Sequence, residues 1–566
     1  MRKSRVRMPA TMPEFRFRVA QDTRVREGLE AVPPLELSTH GMIPEYRDRS
    51  QFREIRLSLG HREGSGRGAL LQRIAAFGVE CQLHLARNST WEVQTMANCK
   101  KRVGKSMVEA ALLALLAVGT IPAMAQQVAP RDPTEPAKGK PQPKMLARPA
   151  GSVARASVDE KSMRALIGKL VACGTRLTLS SWDDAKQGIG CGRDAITGRL
   201  NEIAKDSGGK LQVIVDKFES TSERTSGKPI PLENVYAILP GSDPKLAKTI
   251  FIVSGHFDSR PSNVMDPQAD APGADDDASG VAVSVECARL LSKAGAKGGT
   301  SYRATILFAA VSGEEQGLLG STHLVDWVKQ QGYTVGGMLD DDIVGADPAA
   351  GAPHRVRLFS GNGEIDDADS PSRELARTIE EIDGRGAIRM IFRVDRYGRG
   401  GDHYPFYKAG LPAVRFTEPL EDYNHQHQTP RTENGIEYGD FEKYLNFTFM
   451  GDVARDNAEA LRQLAMAPEP PSKARLTGAV TPDAKVSWSA DDDLERAGFE
   501  ILWRETSDTR WQVYDFAAAP GETVLKGVST DNHFFAVRAV GKNAARSIAV
   551  PTEIERRPPP QPTPTK

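Results

Sequence analysis

Three consecutive aspartates, Asp275, Asp276 and Asp277, stand in the stretch GADDDASG, Gly273 to Gly280, just ahead of an apolar helical run. Carboxylates this close repel one another, and a divalent cation among them would cancel the repulsion, since hard cations take oxygen ligands. The stretch also reads as a solvated acidic turn that opens a helix, with Ser279 as the N-cap. Five further polar clusters bear on the choice. GHFDS, Gly255 to Ser259, and SGEEQGLLGS, Ser312 to Ser321, each end a strand-like apolar run. MLDDDIVG, Met338 to Gly345, adds a second triple aspartate, GGDHYPF lies within Gly398 to Phe416, and EDYNHQHQT, Glu421 to Thr429, brings two histidines into a loop. Five such clusters, each at the end of an α/β element, are hard to explain as solvated surface. No CxxC or Cys/His zinc spacing occurs, so histidines and carboxylates would have to hold the metal.

The elements that must position these residues follow from hydrophobic periodicity. Met163, Leu166, Ile167 and Leu170, and then Ile196, Leu200 and Ile203, recur at helical spacing. Strand-like runs follow at Leu211 to Phe218, Asn234 to Pro240, Thr249 to Gly255 and Ala304 to Val311. The last two are continuously apolar, as expected of central strands covered on both faces. A helix over Gly280 to Ala294 separates them, and Leu318, Leu319, Leu324, Val325 and Val328 suggest another. The pattern predicts an α/β domain over residues 156–467, with a mixed, largely parallel central sheet flanked by helices and a site at the carboxyl ends of its strands. Residues 470–554 change character: several short alternating strands without helices predict a C-terminal all-β sandwich that resembles a fibronectin type III module. Residues 126–155 read as a disordered linker and 555–566 as a Pro-rich unfolded tail.

The chain has 566 residues, 26% charged and 39% hydrophobic, which is room for two or three cored domains. Its 74 basic and 74 acidic residues cancel, which argues against a nucleic-acid partner. A basic run, Lys100 to Ser106, an apolar run, Ala110 to Thr120, and the triplet Ala123-Met124-Ala125 follow one another as in a secretory signal peptide. Residues 96–125 are therefore expected to be a leader starting at Met96 or Met107, and residues 1–95 a mis-called extension. The alternative is a single membrane anchor with a basic cytoplasmic tail, although the apolar run is short for a span. Export implies a periplasmic or extracellular location and no stable membrane span after cleavage. In an oxidising compartment Cys173 and Cys191 could close a loop, a constraint worth roughly 3 kcal/mol, while Cys287 reads as a buried apolar residue in its helix.

In order along the chain, HFD, GADDDASG, GEEQGLLGS, Asp342-Ile-Val-Gly345 and His425-Gln-His427 resemble the co-catalytic di-zinc aminopeptidases typified by secreted bacterial leucyl aminopeptidases, over roughly Leu166 to Leu464. The resemblance implies a zinc exopeptidase-like fold and two Zn2+ ions, with Mn2+ or Co2+ possible. It implies metal ligands His256, Asp276, Glu315, Asp342 and His427, with Asp276 bridging and Asp277 following a cis-type peptide. Asp340 and Asp341 are alternatives to Asp342, and His425 to His427. It assigns Glu314 as general base, Asp258 as the partner that orients His256, Tyr423 as an oxyanion stabiliser, and Asp402 and His403 as structural support. His323 and His354 have no such context and read as surface or core residues. The implied activity is hydrolysis of N-terminal peptide bonds by a metal-bridged hydroxide, with peptides or proteins bearing free N-termini as substrates. A carboxypeptidase or glutaminyl cyclase of the same superfamily, or a non-catalytic peptidase-like binding protein, are the alternatives; the C-terminal module could take a protein or surface partner or shield the cleft.

Overall fold

Continuous apolar runs can serve as central strands only if both faces are covered, and the structure shows how that is achieved. The computed structural model describes residues 3–5, 16–18, 81–87, 93–99, 148–294, 301–346, 355–362 and 369–554. The apolar run of the expected leader, residues 126–147 of the linker, the Pro-rich tail and His354 lie outside the described residues. Two compact units divide the chain, Met1–Pro130 and Arg131–Lys566. In the first, β1 (Lys3–Arg5) pairs antiparallel with β2 (Arg16–Arg18), and β3 (Cys81–Arg87) with β4 (Val93–Cys99). Among the described residues no helix is long and apolar enough to cross a membrane.

The second unit opens with α1 (Glu160–Val171), capped by the Asp159 carboxylate accepting from the Ser162 amide at 3.0 Å, and α2 (Ile189–Asp206). The Cys173–Cys191 disulfide closes the segment between them. Next come β5 (Gln212–Ser220), β6 (Ile230–Leu239), β7 (Thr249–His256), α3 (Ala278–Ala294), β8 (Thr305–Val311), α4 (Leu319–Gln330) and β9 (Thr334–Asp341). They are followed by β10 (Val356–Ser360), α5 (Pro371–Asp383), β11 (Ile388–Ile391), α6 (His403–Lys408), β12 (Ala413–Thr417), the hairpin β13 (Arg431–Glu433) and β14 (Ile436–Tyr438), and α7 (Phe447–Met466). The large sheet runs β11-β10-β12-β9-β7-β8-β6-β5, with β8, β7, β9 and β12 mutually parallel at its centre.

Strand parity divides the apolar runs between two cores. Phe251, Val253, Ile306 and Phe308 join the core that α1, α2, α3, α5 and α7 cover. Ile250, Ile252, Leu307 and Val311 join the core beneath α4 and α6. The mixed α/β sheet flanked by helices is thus the expected fold. Glycine decides how closely α3 approaches it: a Cβ on Gly280 would meet the Asp341 carbonyl oxygen at 1.9 Å, and one on Gly255 the Gly280 carbonyl carbon at 2.5 Å. The amino end of α3, with the three aspartates before it, can therefore sit against the carboxyl ends of β7 and β9.

Residues 473–554 add two four-stranded sheets. One, in the order β19-β16-β15-β22, is built from β15 (Lys473–Thr477), β16 (Ala484–Ser489), β19 (Gly521–Leu525) and β22 (Glu553–Ile554). The other, β18-β17-β20-β21, is built from β17 (Arg496–Glu505), β18 (Gln512–Ala517), β20 (His533–Gly541) and β21 (Val550–Pro551). Val486 and Trp488 of the first face Phe499, Ile501, Phe535 and Val537 of the second. The module is docked rather than tethered. Trp511 Nε1 donates to the buried Glu374 of α5 at 2.6 Å, Arg538 bridges Glu381 and Glu500, Arg504 pairs with Asp369, and Arg303 reaches Asp493 at 2.9 Å. Lys245 Nζ also donates to the Asp492 carbonyl at 2.7 Å. Lys245 and Arg303 precede β7 and β8, so the module meets the sheet at the amino ends of its central strands, away from the carboxyl ends.

Candidate metal centre

The carboxyl ends of β7, β8, β9 and β12 deliver the polar clusters to one place, as expected where parallel strands end beside loops. His256 is the last residue of β7 and is 1% exposed. Its Nε2 lies 3.1 Å from Asp276 Oδ1 and 3.8 Å from Asp342 Oδ1. On the other side of the same aspartate, Asp276 Oδ2 lies 3.0 Å from His427 Nε2, which is 3.1 Å from Glu315 Oε1. Two groups result, His256–Asp276–Asp342 and Asp276–Glu315–His427, each with its ligand atoms within 4.8 Å of one another and sharing Asp276.

The surroundings fit a cation. Asp276 Oδ2 and Glu315 Oε1 are buried and accept no hydrogen bond, although a buried carboxylate oxygen ordinarily has a partner. The protonation equilibria are pulled the same way. Burial alone would lower the His256 imidazole, but Asp258, Asp276 and Asp342 outweigh it and raise it well above its usual value. Burial likewise opposes the His427 cation, yet Glu315 and Asp276 raise that imidazole to about 10. Asp276 falls well below the usual range, because its two histidines outweigh burial. Carboxylates in excess around two imidazoles favour positive charge there, and a divalent ion supplies it while leaving each imidazole free to ligate.

Adjacent aspartates have diverged in role. Asp275 Oδ1 accepts the Gly345 amide at 2.7 Å, so it ties this turn to the residues after β9. The Asp276–Asp277 peptide bond is cis. Asp277 Oδ1 accepts the Gly280 amide at 2.9 Å and the Ile343 amide at 3.2 Å, while its Oδ2 accepts the His256 amide at 3.0 Å. Asp277 therefore caps α3, the role that sequence reasoning gave to Ser279; the Ser279 hydroxyl instead donates to the Asp275 carbonyl at 2.6 Å. Of the three aspartates after Leu339, Asp340 Oδ2 pairs with His403 Nδ1 at 3.1 Å and Asp341 Oδ1 accepts from Asn457 at 2.7 Å, which leaves Asp342 in the metal group. Ile343 and His427 hold φ of 63° and 55°, left-handed conformations that cost side-chain-bearing residues roughly 1–2 kcal/mol and cluster at functional sites.

Glu314 and Glu315 share a turn bracketed by Gly313 and Gly317, whose φ are 74° and 116°. Asp258 anchors it: Oδ1 accepts the Glu314 amide at 3.2 Å, and Oδ2 the Glu315 amide at 3.1 Å and the Thr178 hydroxyl at 2.8 Å. His256 Nδ1 lies 3.0 Å from the Asp258 backbone oxygen and 3.5 Å from its carboxylate. Asp258 thus meets the imidazole through its carbonyl at hydrogen-bond distance, with its carboxylate close behind. Tyr423 is not brought to the cleft: it is 68% exposed, and the tyrosine on the cleft wall is Tyr404. His425 stacks on Tyr444 with centroids 3.7 Å apart, and His323 on Phe218 at 3.8 Å, so neither faces the metal groups.

Three supporting residues carried no sequence signal. Asp440 accepts the Asp275 amide at 2.9 Å and the Asp276 amide at 2.8 Å. The fully buried Arg176 donates to the carbonyls of Leu170, Phe257, Pro272 and Gly273, which locks the start of the aspartate turn to α1 and β7. The fully buried Arg415 holds Asp342 Oδ2 at 2.8 Å and, with His256, lowers the Asp342 carboxyl against the effect of burial.

Residues 234–446, which hold every member of both groups, match the model of Peptidase family M28. A probable zinc metalloprotease of Leptosphaeria maculans is 38% identical over 415 residues, covering 69% of this chain and 94% of that protein. The chain belongs to peptidase family M28. A probable zinc metalloprotease of Pyrenophora tritici-repentis is also 38% identical, over 72% of this chain and 88% of its own length. Both of these relatives are fungal, whereas the sequence motifs resembled bacterial leucyl aminopeptidases. Among solved structures, the LapA aminopeptidase of Legionella pneumophila aligns at 20% identity over 58% of this chain and 79% of that one, with a TM-score of 0.42.

Proposed function

We propose that this M28 peptidase is an exported aminopeptidase that uses two zinc ions, held by His256, Asp276 and Asp342 and by Asp276, Glu315 and His427. The single observation that carries the reading is the sharing of Asp276 by two three-residue groups, with Glu314 beside them and in neither. Zinc bound there would supply Lewis-acid polarisation of the scissile carbonyl and acidify water. The chain's own residues do the rest. Burial pushes the Glu314 carboxyl well above the usual carboxylate range, the direction that suits a group taking a proton near neutral pH. Glu314 accepts the proton of the attacking water and returns it to the departing amine. Asp258 holds both glutamates through their amides, so base and ligand keep their separation during turnover.

The Cys173–Cys191 disulfide supports export, since such bonds persist in oxidising compartments. We read the C-terminal sheets as a fibronectin type III-like module whose docked position leaves the cleft open. The test is an assay of the purified protein on free-amine and N-blocked peptides, with and without a chelator. We expect cleavage of the free-amine peptides alone, lost with the chelator and restored by zinc. Equal cleavage of blocked and free peptides would overturn the aminopeptidase reading.

A further inference from the structure

The cleft over the metal groups has a volume of about 590 Å³ and an unexpected lining. A site for a leucyl side chain needs apolar walls, yet Leu318 and Tyr404 are the apolar and aromatic residues among those lining it, beside four arginines, Arg224, Arg260, Arg396 and Arg399. Apart from Glu314 and the metal groups, the carboxylate on that wall is the exposed Glu223.

Several of the guanidinium donors are not saturated. Arg260 Nε is buried without a hydrogen-bond partner, and its Nη1 approaches Glu315 Oε2 only to 3.6 Å. Arg399 uses Nη1 alone among the described residues, on Glu421 at 2.7 Å and Gln426 at 3.3 Å. Behind the wall, Glu421 and Asp395 serve Arg357, Arg396, Arg399 and Arg415, the last of which also holds Asp342. Four arginines there thus share three carboxylates, Glu421, Asp395 and Asp342. Surplus donors on a half-enclosed wall suit an anion that arrives with the substrate, and a planar guanidinium matches a carboxylate in two-point contact.

We propose that this cleft selects substrates bearing a carboxylate, with Arg260 and Arg399 as its specificity-determining residues. The proposal rests on the peptidase reading only for the bond that is cut. The carboxylate has two possible sources, the acidic side chain of the first residue or the free C-terminus of a short peptide.

Three peptides separate them: Glu-Ala amide carries the charge on the first side chain, Ala-Ala carries it at the C-terminus, and Ala-Ala amide carries none. One of the first two is expected to exceed the third in kcat/KM by at least about tenfold, the worth of one charge-assisted hydrogen bond. In Arg260→Gln and Arg399→Gln the ratio should shrink, chiefly through KM, with zinc content measured in the same samples. Equal cleavage of all three, or a ratio that survives both substitutions, overturns the proposal. If none is hydrolysed, the aminopeptidase reading fails, and calorimetric binding of the same peptides to the Glu314→Gln protein decides the carboxylate. Tighter binding of a charged peptide that both arginine substitutions weaken upholds the proposal; equal binding of all three sinks it.

Discussion

Replacing Glu314 by Gln probes the division of labour between two adjacent glutamates. The substitution preserves shape, and the position of residue 314 is set through its backbone amide on Asp258 Oδ1 at 3.2 Å, so the turn should stand. What disappears is a proton acceptor that belongs to neither metal group. Loss of a positioned general base typically costs about 10²–10⁴ in rate, which at 1.36 kcal/mol per decade is roughly 3–5 kcal/mol of barrier. Glu315→Gln acts differently. Glu315 Oε1 lies 3.1 Å from His427 Nε2 and accepts no hydrogen bond, so the change weakens one group while His256, Asp276 and Asp342 persist. The assay is kcat on a chromogenic aminoacyl anilide together with zinc per chain by atomic absorption on the same preparations. Glu314→Gln should be nearly inactive with unchanged zinc, and Glu315→Gln should lose part of its zinc. Zinc lost from the first and kept by the second would mean that the roles are exchanged. A Glu314→Gln enzyme within about threefold of the parent in kcat would refute the base assignment outright.

Two further substitutions test the framework. Arg176→Met takes one donor from each of four buried carbonyls and removes the cation near Asp258, Asp277 and Asp440, so it should cost about 3–5 kcal/mol in thermal or denaturant unfolding and reduce zinc content; unchanged stability would show that the aspartate turn does not depend on it. Trp511→Phe removes the indole donor to the fully buried Glu374, whose carboxyl burial already pushes up, and should cost about 1–3 kcal/mol of stability. Because the module docks at the far end of the sheet, kcat/KM measured well below the melting temperature should not change, and a fall would show that the module bears on the site.

Much of the fold was legible because it follows from short-range rules. Runs such as Ile250–Val253 and Ile306–Leu307 must be strands covered on both faces, and the regular recurrence at Met163, Leu166, Ile167 and Leu170 must be a helix with one buried side. Strand ends were marked by the change from apolar to polar residues, so the polar clusters could be placed there, and the resemblance to di-zinc aminopeptidases named the ligands within them.

What the sequence by itself determined, then, is which elements form and which clusters fall at their ends, since steric period and hydrophobic burial act over a few residues. Within a cluster the residues are chemically identical, so apart from the family resemblance it is the tertiary structure that tells Asp275, Asp276 and Asp277 apart, through Gly345, the histidines and the start of α3. The same holds for His427 against His425, and for Tyr404 on the cleft wall against the exposed Tyr423. Asp440 lies 165 residues from the amide of Asp275 that it accepts, and Arg176 is 97 residues from Gly273. Such partners share no local pattern, because a hydrogen bond across that separation exists only once the sheet and its helices have packed and the buried amides and carbonyls have to find partners.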